Sequence, residues 1–244
     1  MGFRPLIDAG GLDPAGTRAA AAHDGFLLVR GAVPADLLGP LRGLVEGECR
    51  ARNWLRADGT TDPAVRLGAY DDVRWIDLLT HVLPSREFDA VRQAPRVIQA
   101  LQGLWGDTVC PHAGDLCRLV SPGWPALTTP PHQDAAYLRG TTRAWTAWTP
   151  LWDCPIDLGP LCLLPGSHAV GLWPHARTAG VAADALQGID VAVDDRWAAG
   201  DLAAGDVLLF SCWTVHGALP NRTADRLRAS VDFRYRPGGE VSGP

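Results

Sequence analysis

The sequence predicts a mostly β protein with flanking helices: a jelly-roll core whose N-terminal helices pack on one of its sheets. Two observations support this fold class. After Val109, short apolar segments bounded by proline and glycine replace longer helical segments, as is typical of double-stranded β-helix proteins. Residues 226–235 also alternate between apolar and polar side chains, which indicates a strand with two different faces.

The part of the chain before this core is predicted to be largely helical. Four helical segments are expected, at residues 14–24, 35–51, 74–83 and 85–104. Pro34 would lie in the first turn of the second helix, Pro95 interrupts the fourth, and a strand is expected at residues 25–30. We therefore expect one domain over residues 1–244, helical to about residue 105, with the jelly-roll core from about 106 to 237.

Two long stretches lie outside the predicted elements. They are an irregular segment at residues 52–72 and an insertion between core strands at residues 168–197, both rich in glycine, alanine and aspartate. Connections of this length in a compact domain are usually functional. We expect both to form the substrate gate, with residues 168–197 as its lid.

Composition narrows the class of protein and the classes of partner. The 244 residues are 47% hydrophobic and 20% charged, which suits a globular core, and the net charge of −5 argues against nucleic acid as a partner. No apolar run approaches the roughly 18 residues of a membrane span, and the N-terminus lacks the apolar core of a signal peptide. Six cysteines without C-x-x-C spacing favour a reduced, cytoplasmic protein. Nothing in the sequence indicates an oligomeric state.

An H-x-D motif, His132-Gln133-Asp134, lies in a stretch predicted to be extended. Because side chains alternate along a strand, His132 and Asp134 would share one face of the sheet. Alone, the motif also fits a surface loop with a capping aspartate. A second histidine, His216, follows a predicted apolar strand further along the chain. Two histidines and one carboxylate form the facial triad that binds non-heme Fe(II) and leaves coordination positions open.

The alternating segment at residues 226–235 offers a set of polar side chains on one face. This face carries Arg226, Arg228, Ser230, Asp232 and Arg234. This polar face would either be solvated or line a polar cavity. In the second case the apolar face of the same strand would pack on helices. Arg228 and Ser230 would then form a pair of donors for a carboxylate.

Several motifs in order resemble the phytanoyl-CoA dioxygenase type of Fe(II)/2-oxoglutarate-dependent oxygenase. Besides the H-x-D and His216, the chain has a G-F-L-L strand at residues 25–28, a W-T-P-L at residues 148–151 and an L-G-P-L…P-G-S-H at residues 158–168. Leu158 stands where the family usually has asparagine. The resemblance covers residues 24–235 and implies a cupin-like jelly roll.

The resemblance also implies roles for individual residues. His132, Asp134 and His216 would bind iron, and Arg228 with Ser230 would hold the distal carboxylate of 2-oxoglutarate. The turn after His216 has one extra residue, so Arg226 is a competing candidate for this contact. Trp148 matches an aromatic position beside the co-substrate, and Trp213 is also expected to face the active site. His168 is expected to be structural.

The implied activity is that of an EC 1.14.11-type dioxygenase. Such an enzyme would use Fe(II), 2-oxoglutarate and O2 to hydroxylate an unactivated C–H of a small molecule, with release of succinate and CO2. Desaturation or ring closure are alternative outcomes of the same chemistry, and a jelly-roll protein that binds a small molecule without redox turnover is the alternative class. A step in specialised metabolism is expected.

Overall fold

The computed structural model describes residues 2–62, 64–67, 73–123, 128–177 and 187–240. Within these residues, none of the helices has both the length and the apolar character needed to cross a membrane. The helical N-terminal part and the β-rich remainder follow the predicted order.

Five helices lie in the N-terminal part of the described chain, one before the first strand and four between the first and second strands. They are α1 (Pro14–Asp24), α2 (Ala35–Ala51), α3 (Val73–Val82), α4 (Arg86–Arg92) and α5 (Pro95–Trp105). The fourth predicted helix is therefore two helices. Pro95 occupies the first turn of α5, where its missing N–H costs no hydrogen bond, and so begins a helix instead of interrupting one. Pro34 is the N-cap of α2 and not a residue of its first turn.

The larger sheet is antiparallel and has five strands. In spatial order they are β1 (Phe26–Val29), β7 (Val207–Ser211), β3 (Trp145–Pro150), β9 (Arg228–Pro237) and β2 (Val109–Val120). The apolar side chains of β9 belong to the same core cluster as residues of α2, α4 and α5. The rings of Phe233 on β9 and Phe88 on α4, for example, are 4.7 Å apart. The helices therefore cover one face of this sheet, as the fold class predicts.

A second sheet lies opposite the uncovered face. Its central strands are β4 (Leu161–Leu163) and β8 (His216–Ala218), and single bridges add His132 beside His216 and Ala198 beside Leu163. A separate apolar cluster joins side chains of the two sheets, including Trp148 of β3 and Leu161 of β4. Two antiparallel sheets with a shared core form the predicted jelly roll. A short antiparallel pair, β5 (Ala176–Arg177) with β6 (Gln187–Gly188), forms a separate sheet.

Gly25 shows how closely these layers approach one another. It ends α1 with a φ of +80°, and a Cβ there would lie 2.4 Å from Nδ1 of His168 and 2.7 Å from Oγ1 of Thr214. Only glycine fits such a conformation and contact. The glycine of the G-F-L-L motif and His168 thus pack against each other, so His168 has the structural position expected of it.

The described part of residues 52–72, which the sequence analysis assigns to the substrate gate, is anchored in the core at both ends. Trp54, Leu55 and Leu67 are buried in the main core, and the N–H of Leu67 donates to Oγ of the buried Ser121. Position 63 and residues 68–72 lie outside the described residues. The sequence did not indicate that this stretch contributes to the core, because its few apolar residues are widely spaced among polar ones.

The lid insertion, residues 168–197, is only partly described. Residues 178–186, its centre, lie outside the described residues. Its C-terminal end is part of the core, because Ile189 and Trp197 are buried and the carbonyl of Trp197 accepts a hydrogen bond from Arg4 N–H.

Candidate active site

His132, Asp134 and His216 come together in the core of the jelly roll. One ligand atom from each lies within 4.8 Å of the other two. The Asp134 Oδ1 atom is 3.6 Å from His132 Nε2 and 3.8 Å from His216 Nε2. All three residues are buried. This convergence of two imidazoles and one carboxylate is the donor set expected from the motifs.

The local backbone differs from the predicted strand at one point. His132 is paired with His216 through two backbone hydrogen bonds of 2.8 and 3.0 Å, as in a strand. Asp134, however, begins a short 3-10 helix, Asp134–Ala136. Because Gln133 between them is still extended, His132 and Asp134 remain on the same side of the segment.

Backbone carbonyls orient both imidazole rings. His132 Nδ1 lies 2.9 Å from the Pro130 carbonyl oxygen, and His216 Nδ1 lies 3.0 Å from the Thr214 carbonyl oxygen. A carbonyl only accepts, so each Nδ1 carries the proton and each Nε2 presents its lone pair to the site. Burial, together with the neighbouring His132, lowers the pKa of His216 to about 3. A neutral imidazole of this tautomer is ready to bind a metal.

The carboxylate of Asp134 is oriented by residues that the motifs did not indicate. Its Oδ2 atom accepts from Thr146 Oγ1 at 2.6 Å and lies 3.5 Å from Arg234 Nη2. Oδ1 is the oxygen that faces the histidines. Burial alone would raise the pKa of Asp134, but Arg234 and the nearby histidines hold it well below its usual range. Alternation along β9 placed Arg234 on the polar face without indicating its partner.

Arg228 and Ser230 lie on the same face of β9 as Arg234, which faces the second sheet. Arg228 is 1% exposed, and its Nη1 donates to the Gly159 carbonyl at 3.0 Å. Ser230 is 0% exposed, and its Oγ has no hydrogen-bond partner among the described residues. A buried hydroxyl of this kind next to a buried guanidinium suits a bound carboxylate. The polar row is therefore buried and is not a solvated outer face.

Arg226 is placed differently. It is exposed, precedes β9, and donates to the Asp153 carbonyl at 3.3 Å. The turn before β9 is fixed by the buried Asn221, whose amide donates to the Val120 carbonyl at 3.1 Å and to the Arg226 carbonyl at 2.8 Å.

Gly159, in the L-G-P-L motif, contacts Arg228. It has a φ of +82°, and a Cβ would lie 2.3 Å from the Leu219 carbonyl oxygen, so only glycine fits. Its carbonyl is the acceptor for Arg228. The motif therefore fixes the position of the guanidinium.

The two tryptophans singled out in the sequence have different surroundings. Trp148 is 1% exposed and shares a face of β3 with Thr146, and its Nε1 has no hydrogen-bond partner among the described residues. Trp213 is half-buried, and its indole donates to the Thr142 carbonyl at 2.7 Å near the surface. Only Trp148 belongs to the apolar cluster between the sheets.

An ion-paired group next to the triad was not anticipated. Asp232 Oδ2 is 2.7 Å from Arg118 Nε and 3.5 Å from Arg234 Nη1. Both aspartates of the site, Asp134 and Asp232, thus contact Arg234. These buried ion pairs hold the charged side chains in fixed positions. Removing one member of a pair would leave the other charge buried and unpaired, which is strongly destabilising.

Comparison with known proteins agrees with this geometry. The profile of the phytanoyl-CoA dioxygenase family matches residues 22–230. The 1-deoxypentalenic acid 11-beta-hydroxylase of Streptomyces arenae is 26% identical over 198 residues, 77% of this chain and 69% of that protein. The enzyme of the same name from Streptomyces exfoliatus is 25% identical over 239 residues, 90% of this chain and 80% of that protein.

Solved structures share the fold. The epimerase SnoN, in a crystal structure with Fe3+, alpha ketoglutarate and nogalamycin RO, is similar with a TM-score of 0.66 at 22% identity, over 95% of this chain and 88% of SnoN. The family profile spans most of the chain, and the donor set suits iron. The protein therefore belongs to the phytanoyl-CoA dioxygenase family and is a 2-oxoglutarate-dependent dioxygenase that uses iron.

Proposed function

We propose that His132, Asp134 and His216 are the protein ligands of Fe(II), and that the enzyme hydroxylates an unactivated C–H of a small molecule in specialised metabolism. The observation that carries this proposal is the convergence of three buried ligand atoms within 4.8 Å of one another. Three protein ligands leave the remaining coordination positions for 2-oxoglutarate and O2.

Arg228 and Ser230 are proposed to hold the distal carboxylate of 2-oxoglutarate. Their support is their burial, their common face with Arg234, and the hydroxyl of Ser230, which no described residue hydrogen-bonds. Arg226 is exposed and hydrogen-bonded elsewhere, so it fits this role less well. Trp148, on the neighbouring strand, would form an apolar wall beside the co-substrate.

When bound, iron and 2-oxoglutarate supply the oxidising chemistry, in which O2 is consumed and 2-oxoglutarate becomes succinate and CO2. The chain's own residues prepare the site for it. The carbonyls of Pro130 and Thr214 fix both imidazole tautomers, and Thr146 with Arg234 turns one oxygen of Asp134 toward them. The ring of Phe210, 4.3 Å from that of His216, helps to exclude water from the ligands.

The substrate is proposed to be a small natural product. Two relatives are named as hydroxylases of 1-deoxypentalenic acid, and a structural neighbour is named as an epimerase. Hydroxylation is favoured because both relatives are named for it, with desaturation or ring closure as alternative outcomes of the same site. A binding protein without turnover is disfavoured, because ligand binding alone requires neither the triad nor its orienting hydrogen bonds.

The first test is release of succinate from 2-oxoglutarate. Purified protein with Fe(II), 2-oxoglutarate and O2 is expected to form succinate, and a small molecule that is a substrate is expected to increase the rate. The matched control is the same protein treated with a metal chelator. Absence of succinate under all these conditions would favour the non-redox binding protein.

The second test concerns the product. Halogenases related to this family have Gly or Ala in place of the carboxylate, which leaves a coordination position for chloride, whereas this chain keeps Asp134. We expect the small molecule that stimulates succinate release to be converted into an oxygenated or dehydrogenated product in chloride buffer. Mass spectrometry checks this, and a chlorinated product would contradict the assignment of Asp134 as a ligand.

A further inference from the structure

Gln133, the residue between the two ligands of the H-x-D motif, is 0% exposed. Its extended backbone directs its side chain away from His132 and Asp134. The amide nitrogen donates to the Gly171 carbonyl at 2.9 Å and to the Trp213 carbonyl at 2.6 Å, and the amide oxygen accepts from Trp173 N–H at 2.8 Å. The side chain is thus hydrogen-bonded entirely to backbone.

The backbone of Pro131 and Gln133 is hydrogen-bonded to further residues of the insertion. Gln133 N–H donates to Nε2 of His175 at 3.0 Å, and the Pro131 carbonyl accepts from Ile189 N–H at 2.7 Å. Nδ1 of His175 donates to the Trp173 carbonyl at 2.7 Å, which fixes the tautomer in which Nε2 accepts. Residues 171–175, here called the rim segment, are therefore attached to the ligand-bearing strand at several points.

The rim segment also lies beside a ligand. The ring of Tyr137 is 6.2 Å from that of His175 and 6.1 Å from that of His132, edge-on to both. Tyr137 is 40% exposed, so this row of rings leads from the surface to the metal site. A small molecule that approaches His132 along this row would contact the rim segment.

The hydrogen bonds of Gln133 are expensive to lose. A buried amide that loses its partners is left with unsatisfied groups that water cannot reach, so Gln133 favours one relative position of the rim segment and the ligand strand. We infer that Gln133 is a positioning residue that couples the rim segment to the iron ligands. This inference rests on the proposed function of His132 and Asp134.

The coupling acts in both directions. Metal binding that fixes His132 and Asp134 also fixes Gln133 and hence the rim segment. By thermodynamic reciprocity, a substrate that orders the rim segment strengthens metal binding by the same factor. Contact with substrate would in this way be transmitted to the ligands through one side chain.

The test uses Mn(II) with 2-oxoglutarate and follows backbone hydrogen exchange of residues 171–175. In the unchanged protein, Mn(II) is expected to slow exchange of this segment. In Gln133→Leu, which keeps the side-chain size and all three ligands, that protection is expected to disappear. The apparent Kd for Mn(II), from its electron paramagnetic resonance signal, is expected to rise roughly fivefold or more. Gln102→Leu, an exposed position on α5, is the matched control and should behave as the unchanged protein.

A second variant guards against loss of folding. His175→Ala removes the acceptor for Gln133 N–H, together with the contacts of His175 to the Trp173 carbonyl and to Tyr137, and keeps the Gln133 side chain. It is expected to weaken the Mn(II)-dependent protection in the same direction. The inference is overturned if Mn(II) binds without slowing exchange of residues 171–175, or if Gln133→Leu and His175→Ala transmit the protection unchanged. Failure of Mn(II) to bind at all also overturns it. Succinate release is measured separately, so Mn(II)-dependent protection without succinate would reject the proposed reaction and leave the coupling standing.

Discussion

Replacing His216 by Ala is expected to abolish conversion of 2-oxoglutarate to succinate and to weaken Fe(II) binding more than roughly 100-fold. Loss of a hydrogen-bond partner behind a metal ligand already costs about 10–100-fold in affinity, and His216 is proposed to be a ligand itself. Its Nε2 lies 3.8 Å from Asp134 Oδ1, and among the described residues the only other candidate ligand in this group is His132. Metal content and succinate release measure the two effects.

His23→Ala is the matched control, because the side chain of His23 is 84% exposed and its nearest charged partner is Asp24. This variant is expected to keep normal metal binding and turnover. Near-normal succinate release by His216→Ala would show that the iron ligands are wrongly assigned. A melting temperature close to that of the unchanged protein would establish that loss of activity is not loss of folding.

Replacing Arg228 by Ala is expected to raise the apparent KM for 2-oxoglutarate by roughly ten- to a hundredfold or more, with Fe(II) affinity little changed. A charge-assisted hydrogen bond contributes roughly 1.5–3 kcal/mol, and a buried carboxylate left without its partner costs more. Each 1.4 kcal/mol corresponds to about a factor of ten. Steady-state kinetics at varied 2-oxoglutarate, with Fe(II) saturating, measures the effect.

Arg226→Ala provides the comparison within the same segment. Arg226 is exposed and donates only to the Asp153 carbonyl among the described contacts, so its loss should change this KM only slightly. The opposite ranking of the two variants would move the carboxylate contact to Arg226. It would also mean that the turn fixed by Asn221 is arranged differently when 2-oxoglutarate is bound.

The sequence by itself indicated the candidate metal ligands and determined the sidedness of the main strand. The H-x-D motif and the later histidine indicated a metal site because these residue types form an iron donor set. Strict alternation at residues 226–235 placed Arg228, Ser230 and Arg234 on one face, since successive side chains on a strand point in opposite directions. Helix positions followed from apolar spacing and from proline, except where Pro95 begins α5. Each of these is local information.

Only the tertiary structure decided which partners these residues have. Alternation places Arg226 and Arg228 on the same face of the strand. They differ because Arg228 is buried and donates to the Gly159 carbonyl. Thr146 and Arg234 meet Asp134, and Gln133 meets the rim segment, across separations of 12 to 100 residues. The core position of Leu67 likewise depends on Ser121, 54 residues away. Spacing along the chain determines which way a side chain points, whereas the group that it meets is determined by how distant segments pack.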